Sequence, residues 1–284
     1  MTPTFIKSNA AAQLTMAVEV MDEQGTMQTR QIACERPLTV YLNWKEIVTL
    51  MTLGARPEAL VLGYLKNQGF IEDIGAIESV IVDWESEAAA VVSSQQAADL
   101  DKSLEKKTVT SGCGQGTMYG SVMKKLEGVV LAAPELKQST LYALLKALSA
   151  HNETYKMAGA VHGCAICRGS EILSFVEDVG RHNAVDTIAG WMSMQDRLPD
   201  GEKVFYTTGR LTSEMVIKSA QMGVPVVISR SGITQMGLEV AQRVGLCAIG
   251  RATHKRFLCY SHAQRIVFDA VPTPLGVAPV AAVA

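Results

Sequence analysis

Three times between residues 172 and 244 a short apolar run gives way to a polar turn and then to a stretch with helical spacing. Ile172–Val176, Val204–Thr207 and Val224–Ile228 read as strands, and Ala184–Met194, Glu214–Met222 and Gln235–Val244 as helices. Cys247–Ile249 supplies a further strand. A strand that leads into a helix returns to the sheet by a crossover, so repeated strand–turn–helix units specify βαβ architecture. The pattern predicts an α/β domain with a mainly parallel sheet. Leu141, Leu144, Leu145 and Leu148 fall on one face of an earlier helix.

The N-terminal part has a different rhythm. Thr15–Val20 and Thr29–Cys34 read as a hairpin, and Leu38–Leu42 and Glu46–Leu53 as two strands around Asn43. Arg56–Lys66 reads as a helix with Pro57 in its first turn. Val80–Trp84 and Ala88–Val92 return to a strand pattern. The predicted organisation is α+β overall. It has a small N-terminal β-rich domain at 13–106, a mobile cysteine loop at 107–120, a larger C-terminal α/β domain at 121–270 and a frayed tail at 271–284. Residues Met1 to Ala12 read as a loose leader.

The loop is Thr108–Gly120, in which Cys113 stands between glycines. Glycine accepts backbone angles that other residues avoid, so such a run can carry a thiol between partners. Lys106, Lys107, Lys124 and Lys125 flank it, and nearby cations favour the reactive thiolate. The competing reading is a tight turn with an inert cysteine. The formal charge of −2 argues against nucleic-acid binding through bulk charge. No run of about 20 apolar residues predicts a membrane span. With six cysteines in 284 residues and no secretory leader apparent, a reducing cytoplasm is expected.

Each polar turn follows a strand, and in open α/β sheets ligands sit at the carboxyl ends of strands. The turns carry Arg181 and His182, Arg210 with Thr208 and Ser213, and Arg230 with Ser229 and Ser231. Arg251-Ala252-Thr253-His254-Lys255-Arg256 follows the last sheet strand. Arginines, hydroxyls and helix N-termini together suit phosphates, though surface arginines also occur on turns without a ligand. Glu177-Asp178 reads as a general-acid pair, or as carboxylates that cap a helix or hold Arg181. Cys164-Ala-Ile-Cys167 is a CxxC with His162 before it, but tetrahedral zinc needs about four ligands. Two core cysteines fit better than half a zinc site or a redox pair, and no metal site is predicted. The glutamate of a zinc deaminase signature is also missing after His162.

At Glu177-Asp-Val-Gly-Arg-His-Asn-Ala-Val-Asp186 the sequence resembles the FdhD family, the formate dehydrogenase accessory sulfurtransferases. Pro37–Asn43, Thr110–Gly114, Val161-His162, Thr208–Met215 and Val227–Ser231 support it in family order. The resemblance spans roughly Cys34 to His262. It implies a C-terminal three-layer α/β domain similar to the cytidine deaminase fold. It implies a sulfurtransferase that takes a persulfide from a cysteine desulfurase on Cys113. The sulfur then passes to Mo-bis(pterin guanine dinucleotide), or its tungsten form, as a bound substrate, which activates the formate dehydrogenase catalytic subunit. The segment Arg251, Ala252, Thr253, His254, Lys255 and Arg256 matches the one that binds this pterin dinucleotide. Arg181, His182, Arg210 and Arg230 lie in family motifs and are expected to cradle its nucleotide ends. A homodimer is implied by the family. Many members read C-G-x-C in the loop, whereas here Gly116 stands in place of the second cysteine. The competing functions are a cofactor-binding chaperone without sulfur chemistry and, more distantly, a zinc-dependent hydrolase.

Overall fold

The computed structural model describes residues 5–94, 126, 129–131, 134–196, 198 and 203–271. In chain order the strands of the first part are β1 (Ile6–Lys7), β2 (Thr15–Met21), β3 (Met27–Ala33), β4 (Arg36–Leu42) and β5 (Lys45–Thr52). Helix α1 (Pro57–Gln68) follows, then β6 (Ile77–Asp83) and β7 (Ala88–Ser93). After β8 (Leu136–Lys137) come α2 (Gln138–Ala150), α3 (Glu153–Ala158), β9 (His162–Arg168), β10 (Glu171–Asp178) and α4 (Arg181–Ser193). The rest is β11 (Lys203–Thr207), α5 (Ser213–Gln221), β12 (Val226–Ser229), α6 (Gln235–Val244), β13 (Cys247–Thr253), β14 (Arg256–Ser261) and β15 (Ile266–Val267).

The first sheet has the order β1-β6-β7-β4-β5, and β2–β3 is a separate hairpin. Inward residues Leu38, Val40, Leu42, Val80, Val82 and Val91 meet Leu60, Val61 and Leu65 of α1 in one core. From residue 5 on, the leader is tied down more than a loose segment would be. Ile6 and Lys7 pair in parallel with Ser79 and Val80, so β1 covers an otherwise open edge of β6. Ser8 and Ala10 then donate hydrogen bonds to Glu58 at 2.7 and 2.8 Å.

The second sheet has the order β10-β9-β11-β12-β13-β14. Only β11–β12 and β12–β13 are parallel neighbours; β9 is antiparallel to both β10 and β11, and β14 to β13. The expected mainly parallel sheet is therefore mixed. The reasons are β9, which forms a hairpin with β10 and inserts between β10 and β11, and β14, which returns antiparallel to β13 at the far edge. Strands β10, β11, β12 and β13 still share one direction, so the turns after all four open at one edge.

Side chains on a strand alternate between faces, and here both faces are covered. Cys164, Ile166, Phe205, Val227 and Ala248 pack with α4, α5 and α6 through Ile188, Val216 and Val240. Ala165, Cys167, Tyr206, Ile228 and Ile249 pack with Leu141, Leu144 and Leu148 of α2. The result is three layers.

Helix α1 is sandwiched, with every residue except Lys66 buried. It crosses α4 at a pair of glycines. A β-carbon on Gly63 would lie 1.8 Å from the Asp186 carbonyl oxygen, and one on Gly190 would lie 1.8 Å from that of Ala59. Only glycine at both positions lets the helices approach this closely. No helix among the described residues is long and apolar enough to cross a membrane.

Candidate functional site

The shared edge of the second sheet is tied together by its own turns. The Arg230 amide donates to the Thr207 carbonyl at 3.1 Å, and the Arg251 amide donates to Ser231 at 2.8 Å. The Ser229 hydroxyl donates to Gly209 at 2.6 Å and accepts from the Ser231 amide at 2.9 Å. Arg251 and His254 adopt φ of 50° and 53°, a left-handed conformation uncommon outside glycine. The cross-linking holds the β12 and β13 ends in fixed relation, which a binding edge requires.

Three contiguous cavities open along this edge. One of about 310 Å³ is bounded by Asn152, Tyr155, His162, Thr208, Arg230 and Thr253. A second of about 580 Å³ adds Tyr142, Tyr206, Lys146, Lys156, His254 and Lys255 to Arg230 and Thr253. The third, about 870 Å³, contains Arg230, Arg251, Lys255, Arg256, Phe257 and Cys259. Arg230 and Thr253 belong to all three. Among the described residues none that lines them is acidic. A long groove that is cationic and lined with tyrosine rings suits an aromatic ligand carrying several phosphates.

Among the residues singled out from the sequence, Arg230, Arg251, Thr253, His254, Lys255 and Arg256 meet in this groove. Ala252 borders it but is fully buried, so it contributes shape and backbone. Arg181 and Arg210 stand at the same edge without lining the three cavities. Arg181 is buried, with its side chain against Gly209, whereas Arg210 is exposed. His182 turns towards α5, its Nδ1 3.1 Å from a Glu214 carboxylate oxygen. Cys113 and its flanking lysines lie outside the described residues.

His162 opens β9 beside Thr208, whose hydroxyl is 3.3 Å from its Nδ1 and accepts from the Gly163 amide at 3.1 Å. Burial lowers the His162 pKa, and the charges of Arg181, Arg210 and His182 lower it further. The imidazole is therefore neutral at neutral pH. In the sequence His162 stands beside half a zinc site, which is set aside, and within the Val161-His162 family segment; the groove tyrosines are missed. Tyr142 and Tyr155 lie on helices, where nothing in the residue pattern marks them.

The acidic half of the 177–186 segment does something other than bind. Glu177 accepts the Thr154 and Tyr155 amides at 2.8 and 3.0 Å, capping α3. Asp178 accepts from Thr52, from the Leu53 amide at 3.2 Å, from Gly180 at 3.0 Å and from Asn183 at 3.0 Å. Burial raises the Asp178 pKa against the pull of those bonds. Asn183 also donates to the Met51 carbonyl at 2.6 Å. Their partners are amides and polar side chains rather than Arg181. Asp186 accepts from Asn67 of α1 at 2.6 Å and from Lys218 of α5 at 2.9 Å. This segment thus joins the two sheets and sets where α4 begins.

The CxxC cysteines cannot act together. Residues three apart on a strand point to opposite faces, and Cys164 and Cys167 belong to different cores. Burial pushes each thiol up to about 12. No cluster of three or more potential metal ligands occurs among the described residues.

The profile of the FdhD/NarQ family matches residues 33–267. The "Sulfur carrier protein FdhD" of Bacillus pumilus is 30% identical over 245 residues, covering 86% of this chain and 93% of that protein. The protein of the same name in Bacillus subtilis is 32% identical over 253 residues, covering 86% and 94%. A crystal structure from Desulfotalea psychrophila, described as a formate dehydrogenase accessory protein, superposes with a TM-score of 0.73 at 26% identity. That match covers 90% of this chain and 100% of the other.

Proposed function

Because this chain belongs to the FdhD/NarQ family, we propose that it is a sulfur carrier that serves a formate dehydrogenase. Cys113 takes the sulfane sulfur of a cysteine desulfurase persulfide. The Cys113 thiolate attacks the outer sulfur, a new S–S bond forms, and the desulfurase leaves as its thiolate. The receiving substrate is the bis(pterin guanine dinucleotide) cofactor with its molybdenum or tungsten. Its guanine nucleotide ends lie along the groove, on Arg230 and the 251–256 segment.

The observation that carries this reading is the groove itself. Its described lining is cationic, tyrosine-rich and without acidic residues, and it lies at the carboxyl edge of the sheet. Arg230 is its common wall; beside it, burial holds the Tyr206 phenol up at about 12 while the Arg230 charge opposes that rise. Neutral His162 places a hydrogen-bonding group among arginines without adding repulsion to them.

The same groove favours a second reading, a cofactor chaperone without sulfur chemistry, because binding there requires no thiol. The two separate in a Cys113→Ala variant assayed for formate dehydrogenase activation and for guanosine diphosphate binding. A carrier loses activation and keeps binding. Unchanged activation would establish the chaperone instead.

A further inference from the structure

Cys247 opens β13 and Cys259 sits in β14. Ala248 pairs with Ser261 and Ile249 with Cys259, so Tyr260 is an extra residue that bulges β14. Across this bulge the Cys247 and Cys259 sulfurs lie 3.8 Å apart. The two thiols differ in access. Cys247 is fully buried against the α2 side of the sheet, whereas Cys259 is partly exposed and forms a wall of the 870 Å³ cavity. Arg251, Lys255 and Arg256 line that cavity with it.

We propose that Cys259 and Cys247 are a second thiol site in the groove, which takes a sulfane sulfur from a persulfide and releases it as sulfide. The proposal rests on the sulfur-carrier reading, and it answers a chemical requirement of that reading. Sulfane sulfur is two electrons more oxidised than sulfide, and a pair of thiols in contact supplies two electrons. First, the Cys259 thiolate attacks the outer sulfur of a persulfide R–S–SH. A Cys259–S–SH forms and R–S⁻ leaves. Then Cys247, deprotonated as it reacts, attacks the inner sulfur, which is the Cys259 Sγ it already touches. A Cys247–Cys259 disulfide forms, the terminal sulfur departs as hydrosulfide, and the Cys247 proton is released with it. A dithiol reductant returns the pair to thiols.

The geometry assigns the roles. The accessible sulfur attacks and the buried one resolves, because only Cys259 faces the cavity. The hydrogen bond from Cys247 also holds the Cys259 thiol below its ordinary pKa, and the same contact raises Cys247. The cations of the groove favour an anionic persulfide near Cys259.

The test treats the reduced full-length protein with glutathione persulfide and maps its peptides at intervals. The wild type is expected to yield a Cys247–Cys259 disulfide and one equivalent of sulfide for each. Cys247→Ser should instead hold a persulfide on Cys259 that lives at least about tenfold longer. Cys259→Ser, at the less buried position, should form no link and leave Cys247 unmodified. Wild-type protein that never links the two cysteines, or a Cys259 persulfide no longer-lived in Cys247→Ser, overturns the proposal. The same treatment of Cys113→Ala separates this site from the loop. A link formed there stands even if Cys113 carries no sulfur, and a missing link there fails the pair alone.

Discussion

Lys218 is 1% exposed, and its Nζ lies 2.9 Å from Asp186 and 3.4 Å from Glu214. Burial opposes its charge, but the two carboxylates outweigh that and hold its pKa above the ordinary lysine value. Asp186 is wholly buried, and burial raises its pKa against the pull of Lys218 and Asn67. Lys218→Met keeps the length of the side chain and removes the cation. Asp186 is then left with Asn67 and with the repulsion of Glu214. One-sided loss of a buried pair costs about 3–5 kcal/mol, which in a chain of this size lowers Tm by about 10 °C. Differential scanning calorimetry reads this directly. Asp186→Asn in the Lys218→Met background removes the orphaned charge and should restore part of the loss. The pH dependence has a fixed sign. A carboxyl with a raised folded pKa binds protons more readily when folded, so its unfavourable charge is felt as pH rises through that pKa. Losing Lys218 raises the Asp186 pKa further, so the deficit should shrink as pH falls through that raised pKa. A deficit below about 1 kcal/mol, or one that grows on acidification, would refute the account of this joint.

The helix crossing gives a second prediction. Gly63→Ala places a methyl 1.8 Å from the Asp186 carbonyl oxygen, so α1 and α4 must separate, at a cost of about 3 kcal/mol or more. Thermal unfolding checks it, and an unchanged Tm would contradict the crossing. In the groove, Arg230→Ala should weaken guanosine diphosphate binding by about 10- to 100-fold, the loss of a charge-assisted contact worth about 1.5–3 kcal/mol. Arg210→Ala, outside the cavities, should change it less than about threefold. Calorimetric titration distinguishes the two, and equal losses would argue against the groove. His162 should titrate below 6.5 by NMR, and removing a neighbouring charge with Arg181→Met should raise its midpoint. A midpoint above the ordinary histidine value in the unmodified protein would contradict the burial seen here.

The βα rhythm was legible because strands β10 to β13 each precede a polar turn, and α5 and α6 carry one apolar face each. Strand β9 was not, because its interior from Gly163 to Cys167 is buried on both faces. A run without alternation gives no strand period, and its two cysteines resembled a motif. That missed strand, together with β14 returning antiparallel to β13, is what makes the sheet mixed. It leaves the site in place, since the four strands that carry the turns still point one way. From the sequence Arg181 and His182 read as ligand-facing, and Glu177-Asp178 as a general-acid pair or as carboxylates that cap a helix or hold Arg181; the cap is what Glu177 supplies, to α3. Sequence cannot tell a carboxylate that meets a ligand from one that meets Thr52 and Leu53, more than a hundred residues away. Arg230 and the 251–256 stretch were legible because strand ends face one edge. Tyr142 and Tyr155 were not, because their place depends on how α2 and α3 pack over that edge. Cys247 and Cys259 are brought together only by the bulge at Tyr260, which no local pattern announces.

The central claim is that Cys113 carries sulfur, and mass spectrometry tests it most directly. The protein is incubated with a cysteine desulfurase and cysteine, sampled early and mapped by peptides. The account predicts a gain of one sulfur on Cys113 that is absent in Cys113→Ala. Sulfur arriving first on Cys164 or Cys167, whose thiols are buried with pKa near 12, or no added sulfur beside an active desulfurase, would contradict it.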